Sequence, residues 1–223
     1  METMKFKGTV EQACAVSRIA RTLNEAQDLK EGIRILLLEH TIPTLEPDER
    51  LADDTVRTKK ELENTDMSIA LRICMESGIE DRMESTLVSE AMLEETGLTE
   101  DEAFKRAIER LERETEIYDI FAPEMIVLTN RAKYCGAAAL FSQKIREKVS
   151  REYGSRYMLC PSSRHEVIIA PMKRTTQDDI EEMSGIVRSI NSSQVDEDDR
   201  LSDRAYGLEF ECSEDGSITA KIW

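Results

Sequence analysis

The chain has 223 residues, 40% of them apolar and 34% charged, with a formal net charge of −16 and a pI near 4.7. That length can bury a real core, while the charge excludes direct binding to nucleic acid or anionic membranes, whose phosphates demand clustered Lys and Arg. The N-terminus has no apolar signal region and no run approaches a bilayer-spanning length, so a soluble, cytoplasmic protein is expected.

Residues 8–40 carry Val10, Ala13, Cys14, Val16, Ile19, Ala20 and Leu23, then Leu29, Ile33, Leu36 and Leu37, at the three- and four-residue spacing of a helix. Pro43 and Pro47 end it and bracket an extended stretch. Residues 46–65 are mostly charged and polar and read as a linker, with a loosely packed solvated helix as the alternative. Met67, Ile69, Leu71 and Ile73 then alternate with Ser68, Ala70 and Arg72, as in a half-buried strand. Gly78 marks a turn, residues 85–88 a partner strand, and residues 89–95 a short helix stopped at Gly97. Thr99 and Glu102 have the spacing of a capping box opening a helix to about Glu114.

Residues 125–128 read as a strand, residues 136–141 as the second strand of a hairpin, and residues 142–153 as a helix closed by Gly154. Two β-type runs, 156–159 and 167–170, flank a polar turn holding Pro161, Ser162, Ser163, His165 and Glu166. Residues 176–190 are an amphipathic helix capped by Thr175 or Thr176, residues 196–200 an acidic loop, and residues 205–211 and 217–223 a hairpin across Gly216. The expected organisation is an N-terminal helical segment (1–45), a charged linker (46–65) and a domain over 66–223. Strands in hairpins with helices between the pairs give an α+β fold with a mainly antiparallel sheet.

From about Asp66 to Glu211 the chain resembles an uncharacterised bacterial family, a domain of unknown function seen mostly in gut-dwelling Gram-positive bacteria and often encoded near mobile elements. The resemblance rests on Asp66-Met-Ser-Ile-Ala-Leu, Leu98-Thr-Glu-Asp-Glu-Ala-Phe-Lys-Arg-Ala107, Met125-Ile-Val-Leu-Thr-Asn130, Gly136-Ala-Ala-Ala, Leu159-Cys-Pro-Ser-Ser-Arg-His-Glu-Val-Ile-Ile169, Val187-Arg-Ser-Ile-Asn191, and Leu201-Ser-Asp203 with Tyr206. It implies a fold and carries no activity with it.

Two functional readings stand side by side. In the first, a non-enzymatic acidic module binds a protein partner that presents a basic, nucleic-acid-handling surface, as a mobile-element-encoded anti-defence inhibitor would. Its contact residues are expected among Glu94, Glu95, Glu112, Glu116, Asp178, Asp179, Glu181, Glu182 and the terminal Trp223. In the second, a small hydrolase or transferase is centred on His165, with Ser162, Ser163 or Cys160 as nucleophile and Asp203 or Glu166 orienting the imidazole. Against the second, successive strand residues point to opposite faces, and no nucleophile-elbow motif is present. The bland account gives Pro161 a turn and the serines local side-chain bonds to backbone.

No cofactor or metal is expected. Five dispersed cysteines (Cys14, Cys74, Cys135, Cys160, Cys212) and two histidines have neither zinc-ligand spacing nor the look of a disulfide framework, and read as reduced thiols. No glycine pattern cradles phosphate, and the acids at 196–199 lack the spacing of a calcium loop.

Overall fold

The computed structural model of the chain describes residues 29–52, 58–76, 83–119 and 125–223. Helix α1 (Leu29–His40) runs straight into β1 (Thr41–Pro47), a 3-10 turn (Asp48–Leu51), β2 (Lys59–Glu61), β3 (Met67–Glu76) and β4 (Met83–Leu87). Helices α2 (Glu90–Thr96) and α3 (Glu100–Glu114) follow, then β5 (Thr115–Asp119) and β6 (Ile126–Asn130). Helix α4 (Gln143–Tyr153) precedes β7 (Arg156–Ser163) and β8 (Glu166–Pro171), and α5 (Gln177–Gln194) precedes β9 (Tyr206–Cys212) and β10 (Ile218–Ile222). All strand pairs in the two sheets are antiparallel, which makes the fold α+β. In the smaller sheet β3 is central, with β1 on one side and β2 and β4 along the other; the larger has the order β10-β9-β7-β8-β6-β5.

The alternation read in β3 has a direct consequence. Its pairing with β1 puts Leu45 beside Ile69, Pro43 beside Leu71 and Thr41 beside Ile73 on one face. Leu71 and Ile73 on that face pack on α1, α2 and α3 through Leu36, Leu37, Leu93, Phe104 and Ala107, while Leu45 joins the core of the larger sheet. The opposite face carries Glu46, Thr44, Ile42, Arg72 and Cys74 and turns toward the larger sheet, where Ile42 and Cys74 meet Cys135 and Tyr134. The larger sheet is covered on both sides. Tyr157 and Leu159 pack with Ile145 and Val149 of α4, whereas the intervening Met158 and Cys160 pack with Ile180 and Val187 of α5.

Local chemistry sets the helix ends. Ser89 caps α2, and Gly97 closes it with φ of +69°. Thr99 and Glu102 form the expected capping box on α3; Thr176 and Asp179 form a second on α5, and Ser142 caps α4.

Several expectations need correction. Residues 1–28 of the N-terminal helical reading, the turn at Gly78 and part of the 46–65 stretch lie outside the described residues. The described part of 46–65 holds the end of β1, a 3-10 turn and β2, with Glu46 and Leu51 buried. Of its charges Glu46 is buried, paired with Arg50 and with Arg72 of β3, while Glu49, Lys60, Glu61 and Glu63 stay exposed. Residues Ala137–Phe141 form a 3-10 turn rather than a strand, and β6 pairs instead with β5 and β8. Gly136 explains the difference, because an added Cβ would lie 2.4 Å from Thr129 Oγ1 and 2.8 Å from the His165 carbonyl oxygen. The chain presses against β6 there by backbone, where a side chain from another strand would not fit. Finally, Pro161 sits within β7 at an irregularity in the β7–β8 pairing, and the reversal falls on Arg164 and His165. No helix among the described residues is long and apolar enough to cross a membrane.

Candidate functional site

The polar turn meets the buried face of the smaller sheet through the loop Arg131–Gly136. Asn130 ties that loop down from both sides: its Oδ1 accepts from the Tyr134 N–H at 3.2 Å, and its Nδ2 donates to the Tyr134 carbonyl at 2.8 Å. Lys133 and Cys135 adopt left-handed conformations, with φ of 52° and 50°. Such residues persist only where neighbours over-determine them. Here His165 does so. Its Nδ1 accepts from the Cys135 N–H at 3.0 Å, and its carbonyl oxygen accepts from Thr129 Oγ1 at 2.8 Å and from the Gly136 N–H at 3.1 Å.

That acceptor role at Nδ1 places the imidazole proton on Nε2, 3.1 Å from Asp199 Oδ1. Arg164 Nη2 donates to the same oxygen at 2.8 Å, and the Arg164 N–H donates to the Asp199 carbonyl. Burial pushes the Asp199 carboxyl up, but His165 and Arg164 outweigh it and hold the group below its ordinary value. The Tyr134 ring lies 5.0 Å from the imidazole, and its hydroxyl is 2.9 Å from Ser85 Oγ.

From Ser85 the network enters the smaller sheet. Arg72 Nη1 donates to Ser85 Oγ at 3.1 Å, while its Nε and Nη2 both donate to Glu46 Oε1, at 3.0 and 2.7 Å. Arg50 Nη1 donates to Glu46 Oε2 at 3.0 Å. The Glu46 side chain is fully buried, and that of Arg72 is 9% exposed. Burial opposes the Arg72 charge, yet Glu46 outweighs it and the guanidinium is held above its ordinary value. Beside this pair, Cys74 and Cys135 pack together in one buried cluster at the junction of the two sheets. Nothing in the spacing of these cysteines announces the pair. The visible signal was Arg72 itself, a lone cation in an apolar strand, which requires a buried acid.

The remaining expected catalytic residues are placed elsewhere. Cys160 is buried between β7 and α5, where burial pushes its thiol up to about 12, far from a reactive thiolate. Ser163 Oγ accepts from the His165 N–H at 3.1 Å, a local turn bond, and the Ser162 carbonyl accepts from the Leu201 N–H. Asp203 takes a bond from Asn191 Nδ2 at 2.7 Å. Asn191 also donates to the Ser202 carbonyl, and the Ser202 and Tyr206 hydroxyls donate to Asp66, the phenol at 2.6 Å. Burial, and then the Asp66 carboxylate, push Tyr206 up to about 12. Thus the imidazole is oriented by Asp199 rather than Asp203, and the sequence reading missed Asp199.

The expected contact residues divide in two. Glu94, Glu95, Asp178, Glu181 and Glu182 are exposed. Glu112, by contrast, accepts from Ser142 Oγ and from the N–H groups of Gln143 and Lys144 at the start of α4. Asp179 belongs to the α5 capping box, and Glu116 pairs with Arg131 at 3.3 Å. Trp223 lies with its ring against Gly207, where any Cβ would come within 2.3 Å, and is 38% exposed. Among the described residues no group of three or more His, Cys, Asp or Glu converges as a metal site.

A family model described as a family of unknown function (DUF5688) matches residues 109–209, from the second half of α3 through most of β9. The chain is similar to that family from β5 into β9, the stretch that carries Asn130, Cys135, His165 and Asp199, and β10 lies outside the match. The resembling segments at Asp66 and at Leu98–Ala107 lie outside the match. No curated protein and no solved structure matches the chain.

Proposed function

We propose that this chain is a non-enzymatic acidic module that works by contact with another protein. The carrying observation is the exposed stripe on α5. Asp178, Glu182, Ile186 and Ile190 recur every fourth residue and so share one side of the helix. All four are exposed, and the two isoleucines remain 48% and 41% exposed. Two branched aliphatic side chains one turn apart, left in water, are the anchors of a helix that lies in a groove. The carboxylates ahead of them suit a basic rim on the partner, steering the encounter and setting its register.

The partner's basic surface is one that normally handles nucleic acid, and the chain acts as an inhibitor encoded by a mobile element, in the bacterial setting that the family resemblance implies. What supports this is the net charge of −16, which repels nucleic acid itself and favours a protein that binds it.

The test is capture from a Gram-positive bacterial lysate at low and raised salt, comparing the unaltered chain with Asp178→Lys/Glu182→Lys and Ile186→Asp/Ile190→Asp. Capture should weaken several-fold in raised salt and in each variant, with the melting temperature nearly unchanged. Capture insensitive to salt and to both double substitutions would refute the docking face.

A further inference from the structure

We propose that Cys74 and Cys135 are a peroxide-oxidised pair whose reversible disulfide locks the loop Arg131–Gly136 of the larger sheet onto the smaller one. The observations come from geometry first. Cys74 lies on the buried face of β3, Cys135 lies in the loop that covers that face, and the two pack in one small cluster with Ile42, Met83 and Tyr134. Among the described residues, no third cysteine belongs to that cluster. Cys135 is held there in a left-handed conformation by the His165 and Asn130 contacts, an uncommon placement for a non-glycine residue.

The electrostatics divide the labour between the two sulfurs. The hydrogen bond from Cys74 holds Cys135 below the ordinary thiol range against burial, and Arg72 and Arg164 add to it. The same hydrogen bond, with burial, raises Cys74 well above that range, so it remains the protonated donor. A thiolate-prone cysteine beside a second thiol is the arrangement of a peroxide-sensing and a resolving cysteine. Cys160, buried in an apolar setting with its thiol pushed up to about 12, has neither feature.

The step balances with a hydroperoxide as the only co-reactant. The Cys135 thiolate attacks one peroxide oxygen; the O–O bond breaks, hydroxide leaves and the sulfenic S–O bond forms. The Cys74 thiol then attacks the Cys135 sulfur. An S–S bond forms, the S–O bond breaks, and the sulfenic hydroxyl departs as water with the Cys74 proton. The first hydroxide takes up the proton that Cys135 had released. Two electrons pass from sulfur to oxygen, and a dithiol such as dithiothreitol reverses the bond. Hydrogen peroxide is the smallest oxidant of this class, which suits a pair as enclosed as Cys74 and Cys135.

The experiment exposes the full chain to hydrogen peroxide, blocks remaining thiols under denaturing conditions, and maps the products by mass. The expected product is lighter by about 2 Da with no added oxygen, carries one Cys74–Cys135 cross-linked peptide, and is restored by dithiothreitol. Its melting temperature should rise by roughly 5–15 °C, since the bridge closes a long loop. Cys74→Ser should instead accumulate oxygen on Cys135, trapped by a sulfenic-acid reagent. Three results overturn the proposal: both thiols still free at peroxide levels that oxidise the exposed Cys212, oxygen added to Cys135 of the unaltered chain without a bridge, or disulfides that run through Cys212. These readouts concern only the sulfurs, so they stand or fall separately from the docking face on α5.

Discussion

The Cys135 N–H donates to Nδ1 of His165 at 3.0 Å, and the opposite ring nitrogen faces Asp199 Oδ1 at 3.1 Å. A general base needs a lone pair turned toward the proton it takes. In this ring the lone pair is already given to backbone, and the remaining N–H is given to a carboxylate. The imidazole is a fastener between the turn, the loop Arg131–Gly136 and the 3-10 turn at Glu197–Asp199.

Replacing His165 with alanine therefore acts on stability. It strips the Cys135 N–H of its acceptor and Asp199 of one partner, a loss of about 2 kcal/mol. Urea denaturation measures it, and hydrogen exchange at Cys135 should quicken more than in the β7–β9 ladder. Unchanged stability with unchanged exchange would refute the fastener role.

The Glu46–Arg72 pair makes a larger demand. Glu46→Ala leaves a guanidinium buried without its carboxylate and should cost about 3–5 kcal/mol. Glu46→Leu combined with Arg72→Met should recover most of that loss, because two apolar residues need no partner. Denaturation of the single and paired variants gives the comparison, and a strictly additive pair would contradict it.

Glu112 is predicted to behave as a helix cap borrowed from another helix. Glu112→Ala removes the acceptor of three donors at the start of α4 and should cost about 1–2 kcal/mol. Glu94→Ala, on an exposed side chain, should stay within about 0.5 kcal/mol. Equal effects in thermal unfolding would show that Glu112 is only a surface charge.

Acid should weaken the fold through Asp199. Its carboxyl is depressed in the folded chain from an ordinary value of 3.8, so the folded state prefers it ionised. That contribution is complete above 3.8 and is lost as the pH falls through the lower folded value. Urea midpoints taken between neutral pH and pH of about 2 should fall in this acidic window. Asp199→Asn should be less stable at neutral pH and show a shallower acid decline. A decline identical to that of the unaltered chain would assign the acid sensitivity to other groups.

Much of this protein can be read along the chain. The alternation Met67–Ile73 announces β3, Thr99 and Glu102 announce the start of α3, and Gly97 and Gly216 mark a helix end and a hairpin. Each is a local signal, arising from side-chain periodicity or from backbone angles that one residue tolerates better than others. Residues 136–141 misled for a related reason: a small apolar run suits a strand and equally suits a 3-10 turn pressed against one. Only the neighbouring Thr129 and His165 exclude the strand.

Spacing, propensity and net charge, each acting within a few residues of a position, specify the antiparallel α+β class, the helix caps and the acidic exterior. That Arg72 answers Glu46, that Asp199 rather than Asp203 reaches His165, and that Cys74 packs with Cys135 emerges only when the two sheets come together. These partners are tens of residues apart, and no local rule chooses among the many acids and thiols on offer. Burial makes the choice: a charge or thiol enclosed between two sheets must accept whatever group the packing sets beside it.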